Sequence, residues 1–401
     1  MLMTKRKAIV LGVNYYIGLS AIRSLGKEGI PVIAMDYDPL SYGFGSKYVS
    51  EQVLIPDINK EGENKVVEFL KNFGKKFSEK PVLLPAADPY AIMISNSVDE
   101  LEDYYLFPPL PKGLVSDLVN KHKLYKLAQK HGMPIPKTFF VQGIEDLENI
   151  KNEMVYPCIV KPELSHEFVK KFRKKVFEVS NYRQLYEAVS SATDADLDVM
   201  IQEIIPGPDD HVYTYDAYFN RNAEPVKVFT NRKQRQFPIH FGASVFTESV
   251  FEPRIIQLGE DFLKKIGYHG IVEIELKKDP RNGKFYMIEI NPRVTNFNNV
   301  ILTSGINLPA AQYYDMIGES LSQQINREEG LKFVYFYEDV KAAFNYMSSG
   351  ELSFFRWIKS YIGPLSYAIF DLQDLKPLIL FIKKLIKRFF KKITGARTKG
   401  V

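Results

Sequence analysis

Residues 270–293 read GIVEIELKKDPRNGKFYMIEINPR. Ile271 to Lys277 and Lys284 to Ile290 alternate apolar and polar side chains. Asp279-Pro280-Arg281-Asn282-Gly283 supplies turn chemistry between them, so the stretch predicts a β-hairpin. Loop length decides where its carboxylates point. A two-residue Asn-Gly turn pairs Arg281 with Lys284 and sends Glu275 and Glu289 to opposite faces. A three-residue Arg-Asn-Gly loop, with Gly283 left-handed at a bulge, sets Glu275 directly opposite Glu289, and a five-residue loop keeps that parity. Like charges so opposed destabilise a sheet unless something sits between them. A divalent cation is the natural occupant, and oxygen-only donors point to magnesium or manganese. Asn291 continues the Met287–Glu289 face as a third oxygen donor, and Arg293 follows on the same side. The alternative is a solvated Glu/Lys face. Two carboxylates, an amide and a guanidinium together suit a metal–phosphate complex better than open water.

The rest of the chain narrows the setting. Its 401 residues support two or three domains, and 45% apolar with 25% charged residues is the balance of a soluble globular protein. One cysteine excludes a disulfide framework or a Cys-based zinc site, fits a reducing cytoplasm, and in Tyr156-Pro157-Cys158-Ile159-Val160 reads as a small core residue. Six scattered histidines offer no H-x-x-x-H pair. The short apolar run at the N-terminus lacks a cleavage pattern, so no signal peptide is expected, and no apolar stretch is long enough to span a bilayer. The net charge of +5 is local: residues 376–401 hold nine Lys/Arg and no acid, leaving about −4 elsewhere. The body is therefore not expected to bind nucleic acid.

Apolar runs at Lys7–Gly12, Pro31–Asp36 and Pro81–Asp88, with a helix through Ser20–Gly26, predict an N-terminal parallel α/β domain over residues 1–113. Gly12, Gly18 and Asp36 suggest a nicotinamide site and hence an oxidoreductase. However, Asn14 stands where a second glycine should let pyrophosphate approach. A small-substrate role for Asn14, Asp36 and Asp88 near the strand ends is the preferred reading. After a Pro-rich linker at 107–113, a helix over Asp117–Lys130, strands at Val155–Lys161 and Val199–Ile205, a strand-rich stretch from Val212 to Phe246, and helices at Glu252–Lys265 and Leu308–Ile317 fill residues 114–320.

In order, these elements resemble the ATP-grasp superfamily of carboxylate–amine ligases over roughly residues 1–320. The resemblance is carried by Asn120-Lys121 before Gly132-Met-Pro-Ile-Pro136, by Pro157-Cys-Ile-Val-Lys161-Pro162 and by Gln202-Glu203-Ile204-Ile205-Pro206-Gly207. Gly270-x4-Glu275 and Ile288-Glu289-Ile290-Asn291-Pro292-Arg293 complete it. Lys161-Pro-Glu-Leu-Ser165 leading to Arg173-Lys-Lys-Val176 is similar to the D-aspartate ligase branch and its relatives. The resemblance implies a two-lobed ATP-grasp fold, with a small lobe about 121–205 and a large lobe about 206–320. It implies ATP and Mg2+ (or Mn2+) as cofactors and small-molecule carboxylate and amine substrates. Lys121 and Lys161 would meet the ATP phosphates, backbone groups of Gln202, Glu203, Ile204 and Ile205 the adenine, and Asp210, with Asp209 adjacent, the ribose. Glu275, Glu289 and Asn291 would hold the metal and Arg293 the transferred phosphoryl group. The segment 164–175 has no glycine and carries His166, Lys170, Lys171, Arg173, Lys174 and Lys175 where many relatives have a glycine-rich flap. Of the basic run 231–236, Lys233 or Arg235 is expected to touch the acyl-phosphate.

Residues 321–401 form a C-terminal extension. On a helical wheel of 377–393, Ile379, Ile382, Leu385, Ile386, Phe389, Phe390 and Ile393 share one face, with Lys383, Lys384, Lys387, Arg388, Lys391 and Lys392 opposite. Such a helix suits an anionic membrane interface, here the inner face of the membrane, or else docks on the protein body. Membrane proximity favours an envelope-linked acceptor. A non-catalytic, membrane-associated nucleotide-binding scaffold is the rival reading.

Overall fold

The computed structural model describes residues 5–162, 168, 171–174, 176–240 and 242–397. Near the N-terminus β1 (Ala8–Leu11), β2 (Val32–Asp36), β3 (Val49–Leu54) and β4 (Val82–Pro85) lie in the order β3-β2-β1-β4, all parallel. β1 and β2 are buried at every position, as strands covered on both faces must be, which is why they read as continuous apolar runs. Val10, Ala34 and Leu84 join a core with Leu19, Ile22 and Leu25 on one side. Ile9, Ile33 and Leu83 join Val66, Leu70 and Met93 on the other.

A four-stranded antiparallel sheet follows, in the order β5-β8-β6-β7: β5 (Thr138–Val141), β6 (Cys158–Pro162), β7 (Phe177–Val179) and β8 (Val199–Glu203). Cys158 is fully buried there, and burial pushes its thiol up to about 12, so it is a core residue and no nucleophile. The large sheet runs β13-β12-β9-β10-β11-β15-β16 with β14 beside β10. Its strands are β9 (Val212–Phe219), β10 (Pro225–Phe237), β11 (Ala243–Ser249), β12 (Gly270–Lys278), β13 (Phe285–Asn291), β14 (Gln324–Ile325), β15 (Lys332–Val334) and β16 (Leu365–Tyr367). The region beyond residue 320 thus adds strands to this sheet before it ends in a helix.

The helix expected over Asp117–Lys130 is two, Leu114–Val119 and Lys121–His131. Asn120 leaves helical geometry between them and its Oδ1 accepts from Lys123 N, an N-cap that starts the second helix and puts Lys121 in its first turn. At the C-terminus Lys376–Arg397 is helical and docks on the N-terminal region. Leu380 lies against Gly45, where even a Cβ would come within 2.6 Å of its Cδ1. Phe381 meets Tyr42 edge-on at 5.5 Å, and Lys384 Nζ reaches Asp38 Oδ2 at 2.6 Å. Ile379, Ile382, Ile386 and Phe390 remain 45–60% exposed. The wheel face is therefore outward, and docking uses a second, narrower face of Pro377, Leu380, Phe381 and Lys384. Leu385, placed on the exposed stripe by the wheel, is half-buried, and the side chains of Phe389, Lys391, Lys392 and Ile393 lie outside the described ones.

Candidate active site

On the β12–β13 hairpin Glu275 stands opposite Glu289, Ile274 opposite Ile290 and Glu273 opposite Asn291. The opposition is as expected, but its cause differs. The turn joins Lys278 to Phe285, a register that alone would pair Glu275 with Ile288. A bulge at Ile288 restores the parity. Neighbours pin the bulge: Met287 N donates to Pro134 O (2.8 Å) and Tyr125 Oη to Ile288 O (2.8 Å). Met287 consequently turns into the core with Ile274, Leu276 and Ile290, so it does not share the Glu289–Asn291 face.

Basic groups from three other elements converge on this face. Lys121 Nζ lies 3.4 Å from Glu289 Oε1. Desolvation works against ionisation of Glu289, but the charges of Lys121, Lys161 and Arg293 outweigh it and hold its carboxyl below the usual range. Lys161, at the end of β6, is buried and donates to Gln202 Oε1 (2.9 Å) and Tyr125 Oη (3.4 Å). Burial and then the Lys121 charge lower its ammonium to about 7, against the pull of Glu289 and Glu275. From β10, Lys233 Nζ donates to Gln236 Oε1 (2.9 Å) and pairs with Glu275 Oε2 (3.3 Å). Arg293 is held at three points, Asp88 Oδ1 (2.5 Å), Asn291 Oδ1 (3.1 Å) and Val294 O (3.0 Å). Burial lowers the Arg293 guanidinium pKa, but the Asp88 carboxylate outweighs that and raises it.

Further along the same face lie two buried carboxyls on paired strands, Glu273 and Asp216. Burial raises both carboxyls, Asp216 to about 7, and for Glu273 the Asp216 charge acts in the same direction. Asn291 Nδ2 donates to Glu273 Oε1 (2.9 Å), which aims the amide oxygen of Asn291 at Arg293. Asp216 Oδ1 and Glu273 Oε2 find no hydrogen-bond partner among the described residues. Such a surplus of hard oxygen donors suits a cation. Among the described residues, however, no three His, Cys, Asp or Glu side chains converge as a metal cage. Glu275, Glu289 and Asn291 fit magnesium of the kind held by one or two carboxylates together with substrate phosphates.

The structure does not bring Arg235 to this group. Its guanidinium is buried, bound bidentately by Asp339 (2.6 and 3.0 Å) and stacked on Phe246 at 4.1 Å. The bulge between Lys233 and Arg235 separates the two directions. Along the proposed adenine edge, Glu203 N donates to Lys137 O (2.9 Å) and its carboxylate takes Arg281 (2.5 Å), while Ile204 and Ile205 continue past the end of β8. Asp210 sits in a 3-10 turn of Asp209–His211, with Oδ1 buried and unpartnered among the described residues, whereas Asp209 is occupied by Tyr346 Oη and His240 N (3.1 Å). Lys277 clamps that turn through Gly207 O and Pro208 O, both at 2.8 Å. Asp36 accepts from Asn14 N (2.8 Å) and Asp38 N (2.9 Å), one bond to each carboxylate oxygen, which holds it against its own loop. His166, Lys170 and Lys175 of the basic flap lie outside the described residues.

Three groups that organise the site were not singled out from sequence: Tyr125, the side chain of Gln202, and Asp88 as the partner of Arg293. Gln202 carried a signal, a polar residue inside the apolar run VMIQEII. It is buried, accepts from Lys161 and donates to Thr138 Oγ1 (2.9 Å).

No protein-family model matches the chain. A D-aspartate ligase of Enterococcus faecium is 28% identical over 247 residues, 58% of this chain and 57% of the relative. The match thus spans little more than half the length of that relative. Among solved structures, an L-amino acid ligase from Bacillus licheniformis matches with a TM-score of 0.59 at 17% identity, over 78% of this chain and 75% of that one. The biotin carboxylase domain of a Hydrogenobacter thermophilus 2-oxoglutarate carboxylase, solved with MgADP, matches with a TM-score of 0.60 at 16% identity, over 80% and 72%. The fold is that of the ATP-grasp carboxylate–amine ligases its motifs resemble. Over 247 residues the chain is similar to that D-aspartate ligase.

Proposed function

We propose that the chain is an ATP-dependent ligase joining a carboxylate to an amine through an acyl-phosphate. One observation carries the reading: Lys121, Lys161, Lys233 and Arg293 converge on the face where Glu275 and Glu289 are opposed. Each basic group is engaged with a protein oxygen, and these are the bonds that triphosphate oxygens would exchange. In this reading Lys121 and Lys161 take phosphate oxygens, and Gln202 to Ile205 lie along the adenine. The unpartnered oxygen of Asp210 accepts from the ribose. Glu275, Glu289 and Asn291 would hold magnesium, which would supply charge neutralisation at the phosphates when bound. A substrate carboxylate oxygen attacks the γ-phosphorus and the bond to ADP breaks, with Arg293 facing the transferred group and Lys233 the acyl-phosphate. The amine nitrogen then attacks the acyl carbon, phosphate leaves, and a proton is released. No protein nucleophile is required; positioning and charge do the work.

The related D-aspartate ligase supports amino-acid or peptide-like substrates. The outward apolar stripe of the C-terminal helix, flanked by lysines, supports contact with an anionic membrane, and so a cytoplasmic enzyme peripheral to its inner face with an envelope-linked acceptor. Among the described residues no helix is long and apolar enough to cross a membrane. ADP release screened over amino acids and amine acceptors, with product mass analysis, tests the reading. Turnover giving an amide is expected; no turnover with any pair returns the non-catalytic scaffold.

A further inference from the structure

We propose that the junction between the C-terminal helix and the 38–45 loop is a pocket for the phosphate headgroup of an anionic lipid. It rests on the membrane-facing reading above and adds a defined site to it. A cavity of about 280 Å3 opens there, with Pro39, Leu40, Phe44 and Gly45 on one wall and Leu380 among lysines on the other. Lys376, Lys383, Lys384 and Lys387 all line it. Their spacing around Leu380 puts them on one side of the helix. Asp38 neutralises only Lys384, at 2.6 Å. Among the described residues Lys376, Lys383 and Lys387 have no carboxylate partner, so the cavity is an uncompensated cationic site.

A free inorganic anion would use the lysines and leave the rest idle. The cavity also presents Leu40, 49% exposed, with Phe44 and Leu380. On the adjoining helix face Ile379, Ile382, Ile386 and Phe390 form an outward stripe at spacings of three, four and four. An amphiphile with a single anionic phosphodiester fits both, its phosphate among the lysines and its acyl chains along the apolar rim. Lysine stems can lie over apolar surface while their ammonium groups reach the phosphate.

The test uses the full chain with dihexanoyl phosphatidylglycerol below its micelle concentration, read by calorimetry and by hydrogen exchange. Saturable binding is expected, with protection in both 38–45 and 376–388, together with much weaker binding of inorganic phosphate and of dihexanoyl phosphatidylcholine. Changing Lys383→Gln and Lys387→Gln together should weaken binding about tenfold or more. Both side chains are exposed, so the thermal melt should not move. Equal binding of inorganic phosphate overturns the lipid assignment. Unchanged affinity in the double variant overturns the site. If phosphatidylglycerol vesicles bind but the short-chain lipid does not saturate, the pocket fails and membrane association stands. If neither binds, both fail.

Discussion

At the face of the β12–β13 hairpin, three of the four basic groups are matched to carboxylates: Lys121 lies 3.4 Å from Glu289, Lys233 3.3 Å from Glu275, and Arg293 2.5 Å from Asp88, while Lys161 is held by Gln202 and Tyr125. Along the C-terminal helix, among the described residues, Lys384 alone of the pocket lysines has such a partner. Both regions are charge-rich in sequence, and a net count cannot tell them apart. The difference is one of preorganisation. Where a fold fixes cations against its own carboxylates, it has arranged them for a ligand that will enter and exchange those bonds. Where a row of cations is left unmatched beside exposed apolar residues, the counter-charge is external, and the surface waits for it.

The largest effect should come from breaking the matched region. Glu289→Gln removes charge needed at the phosphates, and its side chain is 45% exposed, so the fold should survive. ATP turnover, followed as ADP release, should drop by at least ~100-fold, the loss typical of a preorganised electrostatic group. Turnover like the parent's in a folded variant would sink both the metal assignment and the lesson drawn from the pairing.

Lys233 and Arg235 sharpen it next, because the two are equivalent in sequence and not in structure. Arg235→Met should leave Asp339 buried with only the Trp357 and Tyr361 donors and no counter-charge, and lower stability by about 3 kcal/mol in urea titration. Lys233→Met should abolish most turnover with a smaller loss of stability. If Arg235→Met unfolds at the parent's midpoint, the Arg235–Asp339 pair is not what holds that wall of the sheet.

A pH experiment isolates Lys161. Its folded value, about 7, is below the ordinary 10.5, so between these the unfolded chain binds more protons and stability rises with pH. Below the folded value both states are charged and the full burial penalty stands. Lys161→Met should therefore be more stable than the parent at pH 6, on the order of a few kcal/mol, with the gap closing toward pH 10. ATP phosphates stabilise the ammonium, so nucleotide binding near pH 8 should take up protons, visible as a buffer-dependent heat. A gap that widens with pH would contradict the burial argument.

The sequence carried the parts of this molecule that depend on local pattern. Apolar runs marked β1, β2 and β4, and the strand alternation together with a turn marked the hairpin. It did not carry the bulge at Ile288, because that is fixed by Pro134 and Tyr125, more than 150 residues away. Alternation alone therefore puts Met287 on the carboxylate face, whereas the bulge turns it into the core and leaves Glu289 opposite Glu275. Asp88 could be placed at a strand end but not against Arg293, 205 positions on. For the C-terminal helix, hydrophobic period identified the outward stripe, yet the docking face at 377, 380, 381 and 384 keeps the same helical spacing, and nothing local marks it as the buried one. Its partner surface, Tyr42 and Gly45, is supplied by the opposite end of the chain. Like Gln202 inside its apolar run, Asn120 carries a local signal, since an Asn before a new run of helix formers is a cap.

The smallest effect concerns how that helix is held. Lys384 and Asp38 are only partly exposed, at 15% and 25%, but such pairs contribute little, so Lys384→Gln should cost about 0.5–1 kcal/mol near neutral pH. Burial raises the Asp38 carboxyl, while the Lys384 hydrogen bond, the Leu40 amide and the Lys384 and Arg388 charges bring it below the ordinary 3.8. A carboxyl so depressed contributes stability above its unfolded value, and the contribution is lost as pH falls through the folded one. The gap between variant and parent should thus be present at pH 7, shrink with added salt, and vanish in strong acid. Apolar packing of Leu380 against Gly45 and of Phe381 against Tyr42 has no such dependence. If the helix resists proteolysis equally in both proteins at pH 7, that packing alone holds it, and Lys384 joins the unmatched lysines as part of the surface that meets the outside charge.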